Sequence, residues 1–171
     1  MTSAATTAAP VGIAAKPGRT RLIQAACFGV GAVALAVVVG GGTLSFLWTP
    51  AILGLTYLAA AIAGGRDGGH WSTACVLLGW GAGVLSASEG LIGLGAAPLY
   101  LAGAGLGGVV AAILERRGFS ADLLGVAGTI ALAGVVFGLA GDVELLVQAE
   151  TYAAALAVVA TVNIALALRA P

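Results

Sequence analysis

No charged residue occurs between Leu22 and Gly65, and this uncharged stretch constrains the fold more than any other feature of the sequence. A membrane-spanning helix needs roughly 20 apolar residues, so the stretch is too long for one span. Gly40, Gly41 and Gly42 interrupt it with the residue type that best permits a turn. The stretch therefore predicts two membrane-spanning helices joined by a short loop.

Four further uncharged stretches follow, each bounded by charged or glycine-rich loops. Together they predict an all-α, polytopic membrane protein with six transmembrane helices in one domain, residues 22–171. Residues 1–21 lack an apolar period and predict a disordered cytoplasmic tail. The spans are expected at about residues 22–40, 44–64, 72–89, 91–114, 123–141 and 147–168.

The composition agrees with lipid as the solvent, because 60% of the residues are hydrophobic and only 8% are charged. A soluble domain carries roughly 25% charged residues. The formal net charge of zero argues against a nucleic-acid partner.

All basic residues fall on one side of a six-span topology. Short loops rich in Lys and Arg stay in the cytoplasm. Both termini are therefore expected on the cytoplasmic side of the cell (plasma or inner) membrane. A wrong helix count would scatter these residues over both sides. They are Lys16, Arg19, Arg21, Arg66, Arg116, Arg117 and Arg169.

The opposite side carries only acids, namely Glu89, Asp142, Glu144 and Glu150. One interpretation is an outer acidic vestibule that repels anions and attracts cations. The other is that these acids simply remain once the positive-inside bias has removed the bases.

Groups that carry chemistry are sparse. His70 is the only histidine and is expected to be a solvated loop residue, while Cys27 and Cys75 lie singly in separate spans as packing residues. No metal site, cofactor or enzyme is predicted. No ionisable residue is expected at mid-membrane, which disfavours a proton pump.

Glycine spacing supplies a packing signal. The pairs Gly79 and Gly83, Gly103 and Gly107, and Gly134 and Gly138 each have the GxxxG spacing that lets helix backbones approach closely. The stripes could pack helices within one protomer or join protomers into a homo-oligomer, and both uses are expected.

Polar and aromatic side chains within the spans are the candidates for contact with a solute. Narrow apolar constrictions with a few polar groups pass small neutral molecules, although deep aromatic side chains also serve as packing residues. The candidate pathway comprises Thr56, Tyr57, Trp80, Tyr100 and Asn163.

Residues 47–51 read Leu-Trp-Thr-Pro-Ala and residues 54–62 read Gly-Leu-Thr-Tyr-Leu-Ala-Ala-Ala-Ile. This segment resembles one span of the bacterial urea and amide channel family, and the similarity covers about residues 47–130. That family's paired tryptophans are missing from the fourth span, and its membrane glutamate is missing near Val126 and Ala127. The resemblance implies a channel for a neutral urea-like or amide-like solute, without that family's proton gating.

A second resemblance is to the acetate uptake transporter family, which also has six spans with both ends inside. Gly69-His70-Trp71 and Gly79-Trp80-Gly81 occupy places similar to its motifs. Both families imply ring-shaped homo-oligomers. A neutral solute is ranked first because an acidic outer face would disfavour acetate; the alternatives are a short-chain carboxylate transporter and a non-transporting accessory subunit of a larger membrane complex.

Overall fold

The computed structural model describes residues 17–140 and 142–169, and within them the chain forms six α-helices and no strand. The all-α fold class is therefore confirmed. A π-helix, Leu35–Val39, continues α1, and short 3-10 helices at Phe46–Trp48 and Glu144–Val147 precede α2 and α6. The α-helices are α1 Pro17–Ala34, α2 Thr49–Gly64, α3 Trp71–Ser88, α4 Ala96–Arg116, α5 Leu123–Leu139 and α6 Ala149–Arg169.

Five segments are long and apolar enough to cross a membrane, so the chain is a multi-pass membrane protein. These segments are Gly18–Val39, Phe46–Gly64, Trp71–Ser88, Ala96–Arg116 and Ala149–Arg169. The remaining helix, α5, is apolar but has only 17 residues. At 1.5 Å per residue it is about 26 Å long, near the lower limit of a full span.

Three helix starts differ from the sequence prediction, and each has a proline in its first turn. Helix α2 begins at Thr49, next to Pro50, rather than at residue 44. Helix α1 begins at Pro17, so residues 17–21 are helical rather than part of a tail, while residues 1–16 lie outside the described residues. Helix α4 begins only at Ala96, which leaves residues 91–95 in a loop. Pro17, Pro50 and Pro98 each lie in a first helical turn, where the missing N–H costs little.

The helices pack in a row, α6 against α1, α1 against α2, α2 against α3, and α3 against α4. Helix α5 lies beside α3 and touches α4 only lightly. Between α1, α2 and α6 the core is formed by Phe28, Leu35 and Leu156, surrounded by small residues such as Ala60. The row positions one face of each of α2, α3 and α6 toward α5.

Glycines let α3 and α4 approach to backbone contact. A Cβ added at Gly79 would overlap the carbonyl of Gly103, and one at Gly107 would overlap the carbonyl of Cys75. A Cβ at Gly83 would likewise overlap a backbone carbonyl of α4. Two of the three predicted glycine stripes are therefore used for packing within the protomer.

The third stripe, on α5, is not used in this way. A Cβ added at Gly134 or at Gly138 would meet no described atom within 4 Å. Ala133 is the only buried residue that α5 has among the described residues.

Candidate functional site

Two cavities lie between the helix row and α5. The first, here called the central cavity, has a volume of about 310 Å³ and is lined by α2, α3, α5 and α6. The second, the end cavity, has a volume of about 230 Å³ and lies at the end of the bundle where α2 and α6 begin. Leu53, Trp80, Val136 and Tyr152 line both cavities, so the two spaces adjoin at these four side chains.

Helical periodicity explains why these residues face the same space. Side chains three, four and seven positions apart share one face of a helix. The central cavity accordingly receives Leu53 and Tyr57 from α2, and Thr73, Leu77 and Trp80 from α3. The contributions of the other two helices follow the same spacing: Thr129, Leu132, Ala133 and Val136 from α5, and Tyr152, Ala155, Leu156 and Val159 from α6.

The central cavity is mainly apolar with a few hydroxyl groups. The Thr129 hydroxyl donates to the Gly125 carbonyl at 2.7 Å, and its oxygen lies 3.3 Å from the Thr73 hydroxyl oxygen. The Tyr152 hydroxyl donates to the Leu146 carbonyl at 2.7 Å. A space of this kind suits a small molecule with few polar groups better than a hydrated ion, which could not replace its water there.

A buried polar atom beside the end cavity has no hydrogen-bond partner among the described residues. Thr49, the first residue of α2, is 1% exposed and lines this cavity. Its Oγ1 has no hydrogen-bond partner among the described residues. An unpaired buried hydroxyl costs about 1–3 kcal/mol, which makes this atom the least satisfied polar group near the cavities.

The structure brings together three of the five predicted pathway residues. Tyr57 and Trp80 line the central cavity, and Trp80 and Tyr100 line the end cavity. The Tyr100 ring also packs edge-on against Phe137, with the ring centroids 5.5 Å apart. Their role in contacting a solute stays a prediction.

The other two predicted residues are buried elsewhere. The Thr56 hydroxyl donates to the Ile52 carbonyl at 2.8 Å, and the side chain lies against Gly31 of α1. Asn163 donates to the Val159 carbonyl at 2.9 Å and shares a face of α6 with Ala153 and Leu156, which pack in the core with α1. Neither residue lines the central or the end cavity.

Tyr152 and Thr49 are the cavity residues that sequence reasoning missed as candidates. Tyr152 could have been found from its spacing to Leu156 and Val159, which places the larger residues of α6 on one face. Thr49 had no such signal, because only the folded packing shows that its hydroxyl lacks a partner.

His70 was expected to be a solvated loop residue; it does lie in the loop before α3, but its side chain is half-buried rather than fully solvated. Its ring packs edge-on against Phe28 and Tyr57, with centroid distances of 5.3 and 5.8 Å. Phe28 and Tyr57 are themselves 5.0 Å apart, so the three rings form one cluster beside the central cavity. Burial lowers the pKa of the His70 imidazole from its ordinary value of 6.5.

Among the described residues, every basic side chain lies at one end of the bundle, together with Asp67, Glu115 and Asp122, whereas the other end carries only acidic side chains. The loops containing Arg66 and Phe119 touch, because the Ser120 amide donates to the Arg66 carbonyl at 2.7 Å and the Arg66 guanidinium lies 5.1 Å from the Phe119 ring centroid. The predicted vestibule acids are exposed at the other end, where α3 and α5 finish and α6 begins, and none of them lines either cavity. These acids are Glu89, Asp142, Glu144 and Glu150.

No cluster of three or more His, Cys, Asp or Glu side chains able to hold a metal occurs in the described part of the chain. The fold and the cavities define the class as an all-α, multi-pass membrane protein with an apolar space between its helices. Comparison with known protein families, with curated proteins and with solved structures found no match to this chain.

Proposed function

We propose that this protein is a channel or transporter that passes a small neutral polar solute, of the urea or amide type, by facilitated diffusion through each protomer. The observation that carries the proposal is the pair of adjoining cavities that share Leu53, Trp80, Val136 and Tyr152. Together they extend from the Tyr57 side of the bundle to the end where α2 and α6 begin.

The chemistry of the walls supports a neutral solute over a carboxylate. Neither cavity is lined by Lys, Arg or His among the described residues, so an anion would enter without a compensating charge. The available polar groups are hydroxyls and the Trp80 indole, which can exchange hydrogen bonds with an uncharged amide.

Transport is tested by reconstituting the full chain into liposomes and following solute entry by light scattering. Urea, acetamide and propionamide should enter faster than into protein-free liposomes, whereas acetate should not. Equal rates with and without protein for every solute would refute transport, and acetate as the preferred solute would support the carboxylate alternative.

The proposal includes the orientation of the protein. We propose that it lies in the plasma or inner membrane with both termini on the cytoplasmic side. Arg66, Arg116 and Arg117 lie in loops or at helix ends on the expected inner side. Cysteines placed singly at Asp67 and Asp142, with Cys27 and Cys75 replaced by Ala, report the orientation in intact cells. An impermeant thiol reagent should label position 142 and spare position 67; the reverse pattern would invert the topology.

One observation favours a second candidate, an accessory subunit of a larger membrane complex. Helix α5 packs only against α3 and lightly against α4, and its outer face remains open. A helix of another subunit could cover that face. Such a subunit would purify with its complex and pass no solute alone, which the liposome measurement distinguishes.

A further inference from the structure

A third cavity, here called the surface groove, is an open furrow on the outside of the bundle between α3 and α4. Its volume is about 620 Å³, and α2 contributes one residue to its lining. The lining is apolar, and Ser86 is the one lining residue that carries a hydroxyl. The groove exists because the two helices touch through residues that have no side chain to fill the furrow, namely Gly79, Gly83, Gly103 and Gly107.

The surface groove runs along the helices and has the length of a lipid chain. It follows α3 from Trp71 to Ser86, which is about 22 Å at 1.5 Å per residue. One leaflet of a bilayer is roughly 15 Å of hydrocarbon, half of the full core. An acyl chain therefore fits along the groove, held by van der Waals contact, because the surrounding lipid is as apolar as the wall. Selection among lipids must then come from the head group.

Two arginines lie at one end of the surface groove. Trp71 and Leu114 line this end, and Arg117 follows Leu114 by three positions, which places it on the same face of α4. The Arg66 guanidinium lies 5.1 Å from the centroid of the Phe119 ring. That ring packs edge-on against Trp71, with the ring centroids 4.9 Å apart. Arg66 and Arg117 are both exposed, so an anion at this end of the groove can reach them.

The acidic side chains favour an anion at this end of the groove and not at the other. The far end lies beside the exposed Glu89, which follows the last residue of α3. Two acids, Asp67 and Glu115, adjoin the arginines in the sequence. Glu115 follows Leu114 by one position, so it lies about 100° around α4 from the face that lines the groove. An anionic head group is therefore attracted to the Arg117 end and repelled from the Glu89 end.

We propose that the surface groove binds an anionic phospholipid, with the phosphate at Arg66 and Arg117 and one acyl chain along the furrow between α3 and α4. This site does not depend on the proposed transport function. A second copy of the chain is the competing occupant. Two copies related by a two-fold axis would bring their basic ends together at the same depth of the membrane, where like charges repel.

The full chain in detergent is tested with three probes that separate the head group from the chains. Dioleoylphosphatidylglycerol has an anionic head, dioleoylphosphatidylcholine has the same chains with no net charge, and glycerol phosphate has no chains. Native mass spectrometry detects retained lipid, and thermal unfolding measures stabilisation. Phosphatidylglycerol should be retained and should stabilise the wild type at a concentration roughly fivefold lower, or less, than phosphatidylcholine requires. Glycerol phosphate should not stabilise it.

Two matched pairs of variants locate the lipid. Arg117→Gln should need roughly fivefold more phosphatidylglycerol for the same stabilisation, the contribution of one arginine near an anionic lipid. Arg116→Gln should behave like the wild type, because adjacent helical residues point about 100° apart. Ala102→Trp adds an indole inside the groove, whereas Ala112→Trp adds it at an exposed position of α4 outside the groove. Ala102→Trp should lose the retained lipid, and Ala112→Trp should keep it.

Four results would overturn the inference. Equal lipid dependence in Arg116→Gln and Arg117→Gln would assign the effect to diffuse surface charge. Retention of the lipid by Ala102→Trp would place the acyl chain elsewhere. Equal stabilisation by phosphatidylcholine or by glycerol phosphate would remove the joint recognition of head and chain. A lipid-free wild-type dimer that Ala102→Trp converts to monomer would assign the groove to a second copy.

Unfolding temperatures without lipid show whether each variant folds. If Ala102→Trp does not fold, the arginine pair still decides the question, because Arg116 and Arg117 are exposed and their substitution leaves the helix packing intact.

Discussion

Helices α3 and α4 differ from α5 in how their glycines are used, although all three helices carry the same GxxxG spacing. Gly79 of α3 and Gly107 of α4 lie against the backbone of the partner helix, whereas Gly134 and Gly138 of α5 face open space. The spacing marks helices able to approach closely, and the fold determines which of them do so. The helix row is thus tightly joined and α5 loosely attached, and the cavities lie at the loose boundary.

The largest expected effect on stability comes from disrupting the close contact between α3 and α4. Gly107→Leu should drive a side chain into the carbonyl of Cys75 and destabilise the fold on the order of 3 kcal/mol. Gly105→Leu is the matched control, because Gly105 lies on the exposed face of the same helix with no described atom within 4 Å of an added Cβ. Thermal unfolding in detergent measures both. Equal losses in the two variants would mean that α3 and α4 are not in backbone contact.

A smaller effect on stability is expected from a substitution on the loosely attached helix α5. Formation of a homo-oligomer along this helix stays a prediction. A Cβ added at Gly138 meets no described atom within 4 Å, so the unfolding temperature of Gly138→Leu should stay close to that of the wild type. If protomers meet along α5, the added side chain should shift the protein toward monomer in native mass spectrometry. A wild-type protein that is monomeric across mild detergents would contradict assembly along this face.

The smallest expected effect concerns the ring cluster at the basic end of the tight region. Partial burial of the His70 imidazole disfavours its charged form, so its folded-state pKa lies below its unfolded value of about 6.5. The unfolded chain therefore binds a proton at a higher pH than the folded chain does. The stability that the neutral His70 side chain contributes is full above pH 6.5 and is lost as the pH falls toward the lowered pKa. His70→Phe should keep the packing against Phe28 and Tyr57 while removing this term.

Unfolding temperatures at pH 7.5 and pH 5 test this expectation. The wild type should lose more stability on acidification than His70→Phe does. Identical losses in the two proteins would show that His70 is solvated and titrates normally after all.

How far the sequence predicts this fold depends on what each signal reports. The number of helices and their approximate bounds follow from hydropathy and charge, which need no knowledge of neighbours. Five of the six described helices are long and apolar enough to span a membrane. The start of α4 was predicted too early because residues 91–95 are apolar yet form a loop before Pro98. Hydropathy alone does not separate an apolar loop from an apolar helical turn.

Side-chain direction was harder to predict than span position. In a membrane helix both the lipid-facing and the core-facing sides are apolar, so periodicity does not determine the rotation of the helix. Tyr57 and Trp80 were selected by depth and do line the central cavity, whereas Thr56 and Asn163, selected by polarity, pack toward α1. Tyr152 had a spacing signal to Leu156 and Val159 in the sequence, whereas Thr49 became visible only through the packing around it.

The central claim is that solute passes through the cavities between the helix row and α5, and a plugged cavity tests it most directly. Ala155 lines the central cavity, while its neighbour Ala154 is exposed and lines neither cavity. Ala155→Trp and Ala154→Trp add the same side chain one residue apart, so they form a matched pair. Propionamide flux is measured in liposomes that contain equal amounts of folded protein.

We expect Ala155→Trp to reduce the protein-dependent flux at least tenfold, because the indole would occupy the space that the solute needs. Ala154→Trp should retain the wild-type flux, since its side chain faces away from the cavities. Equal flux through the two variants would contradict the account and place any pathway elsewhere in the protein.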